Sequence, residues 1–274
     1  MRSPFQLMLL LAAVLPLLAF TPVGQGDLPT PPDWRKLNTQ AFQPGERLVY
    51  RVSYGPFSAG TATFYSEPDW VNYKGRPCYR LHGIVKSSPS FEWFYKLHNE
   101  FHTYVDREAI VPYHYTRSNR EGDYKFDDAV YFDHNRQQVK GVRGEFTMPA
   151  YTQDMISAFY YARCLPLRHA PVGHVHRIPV FIDDDVYELG LTVLGRETIK
   201  TKYGKMRTIK LSPMVVAGRV FKDDAQMLIW VSDDENMIPV YCESPVIVGS
   251  IKCELAEHKG LRNPMSSLVG KSKP

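Results

Sequence analysis

Apolar and polar residues alternate along most of this chain. In the stretch Pro44–Phe64, Leu48, Tyr50, Val52 and Tyr54 fall two apart, with Arg51 and Ser53 between them. Strand side chains point to opposite faces in turn, so this spacing predicts one apolar and one mostly polar face. Gly55-Pro56 breaks the run, Gly60 closes the loop, and Thr61–Tyr65 resumes in β-branched and aromatic residues: a first hairpin. The same grammar predicts strands over 46–54, 60–66, 77–86, 99–105, 111–118, 124–132, 137–142, 175–182, 186–195, 206–214, 226–232, 238–243 and 246–256. Turn-forming runs such as Glu121-Gly122-Asp123, Asp183-Asp184-Asp185 and Tyr203-Gly204-Lys205 separate them. Short strands at this spacing give a mainly β fold, either a sandwich or an antiparallel sheet curled into an incomplete barrel.

Two stretches leave the strand period. In Asp154–Leu165, Met155, Ile156, Phe159 and Tyr160 have helical spacing, with Asp154 placed to cap and Pro166 to stop. This predicts one amphipathic helix that plugs a barrel end or covers a sheet face. Ser88–Tyr95 fits both periods: Phe91, Trp93 and Tyr95 alternate like a strand, while Phe91, Phe94 and Tyr95 fit a helical turn. Beyond about Gly260 the periodicity fades, and 260–274 reads as a loose basic tail.

The amino terminus has the order of a secretory signal over residues 1–26: Arg2, the apolar run Leu7–Phe20, then small residues through Gly26. The run is shorter than the ~20 residues of a spanning helix, and Pro16 and Pro22 interrupt or flank it, so no membrane anchor is expected after processing. A Pro-rich extended leader, 27–41, precedes a single β domain over 42–259. One of the 33 basic residues lies in the signal, leaving 32 against 29 acidic ones, too balanced a charge for a nucleic-acid partner. Export to the periplasm or cell envelope follows from this reading.

Four cysteines follow the signal: Cys78, Cys164, Cys242 and Cys253. Cys242 and Cys253 share one late strand-rich segment and are the candidate disulfide; buried free thiols are the other reading. His98 and His102 share a strand face but lack a third ligand, and Asn99 stands where a zinc protease has its glutamate, so no metal is assigned. The aspartate pairs lack the layout of a calcium loop and read as turns. There is no GxSxG elbow, phosphate cradle or Cys/His signature, so no catalytic residue and no cofactor is assigned; a hydrolase with an unrecognised site stays open.

The chain holds 17 Tyr, 14 Phe and 4 Trp, and Phe91, Trp93, Phe94 and Tyr95 are the densest group. Buried, they are core; exposed, they form a stacking platform or a lip for lipid. With Phe159 from the helix they are the candidate ligand contacts.

The motifs PGERLVY…AGTATF, Asp106…Val111-Pro112, Glu121-Gly122, Phe132-Asp133, the helix Asp154–Arg163 and Asp234…Ile238-Pro239…Val248-Gly249 together resemble an exported Gram-negative family. It is number three thousand one hundred and eight in the series of domains of unknown function, and the resemblance spans about 42–257. It implies an envelope protein, mostly β, with no catalytic residues to carry over. More remotely, the expected architecture is similar to the incomplete barrels of periplasmic lipoprotein carriers, in which a concave apolar face holds acyl chains. The expected function is a non-enzymatic binding or carrier domain for a lipid or other apolar small molecule. The alternatives are an envelope scaffold that meets a partner protein, or a glycan-binding module.

Overall fold

The computed structural model describes residues 34–37, 40–215, 227–246 and 249–270. The expected signal, 1–26, most of the leader and the last four residues lie outside them. The strands are β1 (Arg47–Tyr54), β2 (Phe57–Ser66), β3 (Val71–Tyr73), β4 (Arg76–Ser87), β5 (Leu97–Asp106), β6 (Pro112–Glu121), β7 (Tyr124–Asp133), β8 (Gln138–Gly141) and β9 (Gly144–Thr147). After the helix α1 (Met155–Ala162) come β10 (Val175–Ile182), β11 (Asp185–Thr201), β12 (Gly204–Val215), β13 (Leu228–Ser232), β14 (Pro239–Pro245) and β15 (Ser250–Lys259). They form one antiparallel sheet in the order β10-β11-β12-β13-β14-β15-β1-β2-β4-β5-β6-β7-β8-β9, with β3 added beside β4.

The sheet curls until its two edge regions meet through side chains. Phe181 of β10 packs edge-on to Phe132 of β7 and against Phe146 of β9, at 6.2 and 5.8 Å between ring centres. Asp183, in the β10–β11 turn, binds Arg117 of β6 at 2.7 Å, and Asp184 faces Arg143 at 3.4 Å. The strand order is therefore that of an open sheet, with the seam sealed by rings and ion pairs.

Leu48, Tyr50 and Val52 form the buried row of β1 that the alternation predicts. The chain returns to this strand at its end, because β15 pairs with β1 and so joins the two halves of the sequence.

Helix α1 is capped as expected. Asp154 accepts hydrogen bonds from the backbone N–H groups of Ile156 and Ser157, while Ser157 Oγ accepts one from the Asp154 N–H. Thr103 Oγ1 of β5 donates to the other carboxylate oxygen at 2.6 Å, which pins the helix start inside the curl. The helix lies over Gly83 of β4, where a Cβ would come within 2.6 Å of Ile156 Cδ1. Its other end is held by Arg163, whose guanidinium is buried against Glu46 at 2.5 and 2.9 Å and also donates to the carbonyls of Ala41 and Asn236.

The tail differs from expectation. Leu261, Met265 and Leu268 pack on a core cluster, Leu268 bridges to Met206, and the buried Ser267 donates to Asp234 at 2.6 Å. Residues 261–270 are thus a strap closed by contacts with other elements, which no local period announces. The leader likewise packs where it is described: the Arg35 guanidinium lies over Tyr151 and Tyr161 and donates to Ala109 O.

Candidate functional site: the concave face

The hairpin turns β1–β2 and β6–β7 and the β4–β5 connection all lie at one end of the curl, here called the lip. Their backbones meet there: the Ser88 N–H donates to Ala59 O, and the Gly122 N–H donates to Lys96 O. Helix α1 fills the other half, against β4, β5 and β10. In that half Phe42, Leu81, Ile110 and Tyr160 have almost no exposed surface.

Between α1 and the lip the inward side chains are less covered. Tyr54, Ala62, Phe64, Val85, Phe159 and Cys253 are only half-buried, although they pack on core clusters, and Phe126 and Cys242 on the same inner face are half-buried too. The register shows how this wall is laid out. One inward row runs Tyr50–Ala62–Val85–Asn99–Asn119–Phe126, and the next runs Leu48–Phe64–Gly83–Phe101–Arg117–Asp128. The wall is apolar on β1, β2 and β4 and turns polar on β5, β6 and β7.

Much of the polar part is paired internally, although Asn119 Oδ1, Arg117 Nε and Asp128 Oδ1 are buried without a partner. Asn99 donates to Glu121 Oε1 at 2.8 Å, and Arg117 bonds Asp183 and, at 3.2 Å, Asp128 while lying over the Phe126 ring. Burial raises the carboxyls of both Glu121 and Asp128, against the pull of these hydrogen bonds and of Arg117.

The five candidate ligand residues split into three places. Residues 88–95 form helix-like turns, with the N–H of Glu92 donating to Ser88 O and that of Tyr95 to Phe91 O, each at 3.0 Å. That geometry tucks Phe91 and Tyr95 inward, where they line a small chamber with Val52, Ala59, Val85 and Leu97. The same turns throw Trp93 and Phe94 outward as exposed rings at the lip. Phe159 lies deeper, on α1, stacked on Phe64 at 4.3 Å. Ala62 and Phe64 lie between it and the chamber, so three of the five share one apolar surface. The chamber encloses only about 10 Å³, so a ligand at Phe91 requires the 88–95 turn to lift.

Cys242 and Cys253 are directly opposed on β14 and β15 and face inward beside this surface. Both are thiols in this structure, joined by a hydrogen bond. That bond, with burial, holds Cys242 well above the ordinary thiol range, and the same bond lowers Cys253. Cys78 is pushed up to about 12 by burial and takes no part.

On the outer face His102 meets a residue that sequence spacing missed. His82 Nδ1 and His102 Nδ1 are 2.6 Å apart, and Glu67 lies 3.0 Å from His82 Nε2. Burial, then the neighbouring His102, lowers His82 to about 4. His98 instead pairs with Glu100 at 2.9 Å. Among the described residues no three metal-binding side chains converge.

With this geometry in hand, comparison places the chain. The profile of a family described as a protein of unknown function, DUF3108, matches residues 49–256. The chain belongs to DUF3108. No curated protein matches this DUF3108 sequence. Among solved structures it is similar to the β-barrel-like protein of the domain of unknown function DUF1849 from Brucella abortus. That likeness covers 80% of this chain and 99% of that one at 11% identity and a TM-score of 0.50, which shows the fold alone. Weaker likenesses, with TM-scores of 0.36 and 0.32, are to a candidate lipoprotein of Parabacteroides distasonis (10% identity, 83% of this chain and 100% of that one) and a candidate exported protein with YmcC-like fold from Bacteroides fragilis (9%, 80% and 99%). No helix among the described residues is long and apolar enough to cross a membrane.

Proposed function

We infer that this DUF3108 chain is a non-enzymatic binding or carrier domain that takes a lipid or other apolar ligand against its concave face, in the cell envelope. One observation carries the reading: the inward apolar side chains between α1 and the lip are half-buried, where a filled barrel would cover them. Apolar surface left open to water is a standing gain for any hydrocarbon that covers it, ~0.8 kcal/mol for each CH₂.

The test uses two neighbours on β4. Val85 faces the concavity and Ile84 the outer face. Native mass spectrometry of the exported protein should show a bound apolar mass that Val85→Asp loses and Ile84→Asp keeps. Displacement of N-phenylnaphthylamine should follow the same pattern. Equal retention by both variants, or no uptake of the probe by the parent protein, ends the reading.

A second reading rests on the outer face. Tyr73, Tyr104, His114 and Tyr131 form a stacked row across β3–β7, with centres 4.8 Å apart for Tyr73–Tyr104 and 4.3 Å for His114–Tyr131. Such a row suits the faces of sugars. Cell-wall fragments that shift tyrosine fluorescence in the parent protein and not in Tyr104→Ala would support a glycan-binding module.

A further inference from the structure

We propose that the lip docks on a phospholipid membrane surface, with Trp93 and Phe94 entering the interfacial layer and the cations behind them meeting lipid phosphates. The observation is the placement of exposed apolar side chains over three separate connections. Phe57 is 62% exposed in the β1–β2 hairpin, and Trp93 and Phe94 are 84% and 55% exposed between β4 and β5. Tyr124 at the β6–β7 turn is 54% exposed. These four, up to 67 residues apart in sequence (124 less 57), share one end of the curl. A monomeric surface seldom gathers large apolar groups in this way unless something covers them.

A membrane fits better than a protein groove for two reasons. The groups are turn tips around a rim, with no continuous flat patch between them, so they suit a deformable layer that each tip can enter alone. Tryptophan and tyrosine, with an apolar body and a polar edge, are also the side chains that settle at the level of lipid headgroups.

Directly behind Tyr95 an open groove of about 510 Å³ on β5–β7 carries Lys96, Arg120 and Lys125, with His98, against Glu100. Arg120 is partly neutralised by Asp127 at 2.9 Å, which leaves Lys96 and Lys125 to face the phosphates. Glu92 and Asp123 stand at the same tips, so apolar insertion supplies most of the attraction and anionic lipid adds to it.

The full exported chain should co-sediment with vesicles of phosphatidylcholine, and more strongly when phosphatidylglycerol is included. Trp93→Ser with Phe94→Ser should lower the bound fraction by about tenfold. Lys96→Gln with Lys125→Gln should remove only the gain from phosphatidylglycerol. Brominated lipid should quench tryptophan emission in the parent protein and in Trp70→Phe, whose ring lies at the opposite end, and not in Trp93→Phe. All five substituted residues, Trp70, Trp93, Phe94, Lys96 and Lys125, are exposed, so the variants are expected to fold. Absence of binding to both vesicle types, or quenching that survives Trp93→Phe, overturns the proposal. So does binding only to membranes that retain their proteins, which would make the rim a protein interface. None of these outcomes bears on the Val85 test, which reads the concave face and not the rim.

Discussion

The two halves of the curl are built from the same strands and hold different interiors. Leu81 and Val85 both point inward from β4, four residues apart; Leu81 has no exposed surface and Val85 is half-buried. What differs is α1, whose Ile156 is buried in one cluster with Leu81 and Phe101, while Val85 sits at the partly covered margin of that cluster. The sheet alone therefore makes a trough, and one capped helix turns half of it into a core. The half that the helix leaves open is where binding is to be sought.

The contrast breaks most sharply at the Arg163–Glu46 pair, which ties the start of the domain, the end of α1 and the loop at Asn236 into one buried knot. Arg163→Met leaves the Glu46 carboxylate buried without its partner. The expected loss is ~3–5 kcal/mol, read from urea unfolding. The double variant with Glu46→Gln should recover part of it. If the single variant costs under ~1 kcal/mol, the closed half is not the rigid part of the molecule.

Acid tests the comparison next. His134 packs against Trp34, donates its Nε2–H to Pro112 O at 2.7 Å, and is lowered by burial from 6.5 to about 4. His82 is lowered to a similar value. A group whose folded pKa is depressed binds protons more weakly when folded, so its contribution is present above about 6.5 and is lost as pH falls through about 4. Asp154, raised by burial from 3.8 to about 6, acts in the opposite direction over much of the same range. Glu121 and Asp128, also raised by burial, act with Asp154, while His102, His114, His176 and His258, lowered by burial, act with His134 and His82. Six histidines against three carboxyls leave a net loss on acidification. His134→Asn should remove part of that loss, at most roughly 3 kcal/mol, in unfolding curves taken near neutrality and near pH 4. An acid slope unchanged in this variant would place the sensitivity elsewhere.

How much of this was legible depended on whether a residue's orientation follows from its neighbours. Period two marks β1, β10 and their kin, and an Asp cap with helical spacing marks α1, because each is a local property. β3 and β9, of three and four residues, are too short to show a period. The strap 261–270 and the seam at Phe181 are made by distant partners and leave no local trace. In the candidate site the limit has another cause. In β6 the inward residues are Tyr115, Arg117, Asn119 and Glu121, so the usual equation of polar with outward assigns that strand to the wrong faces. Trp93 and Tyr95 share a face in a strand and part in a helical turn, and the sequence of 88–95 fits both.

The smallest expected effect separates the two halves most directly. Leu81→Ala removes three carbons from a site without exposed surface and should cost ~2–5 kcal/mol, transfer and cavity terms together. Val85→Ala removes two carbons, and full burial would make that roughly 2 kcal/mol at ~0.8 kcal/mol for each carbon. Because Val85 already meets solvent, the unfolded chain has less to gain, and the cost should stay below about 1 kcal/mol. A ligand changes the comparison: anything held against Val85 stabilises the folded chain by its own affinity, and the alanine variant forfeits part of that. Delipidated protein should therefore show a small difference between parent and Val85→Ala, and protein saturated with an apolar ligand a larger one, while Leu81→Ala costs the same in both. Equal and large costs at the two positions without ligand would mean that the trough is filled along its whole length, and the open half, with the function assigned to it, would not exist.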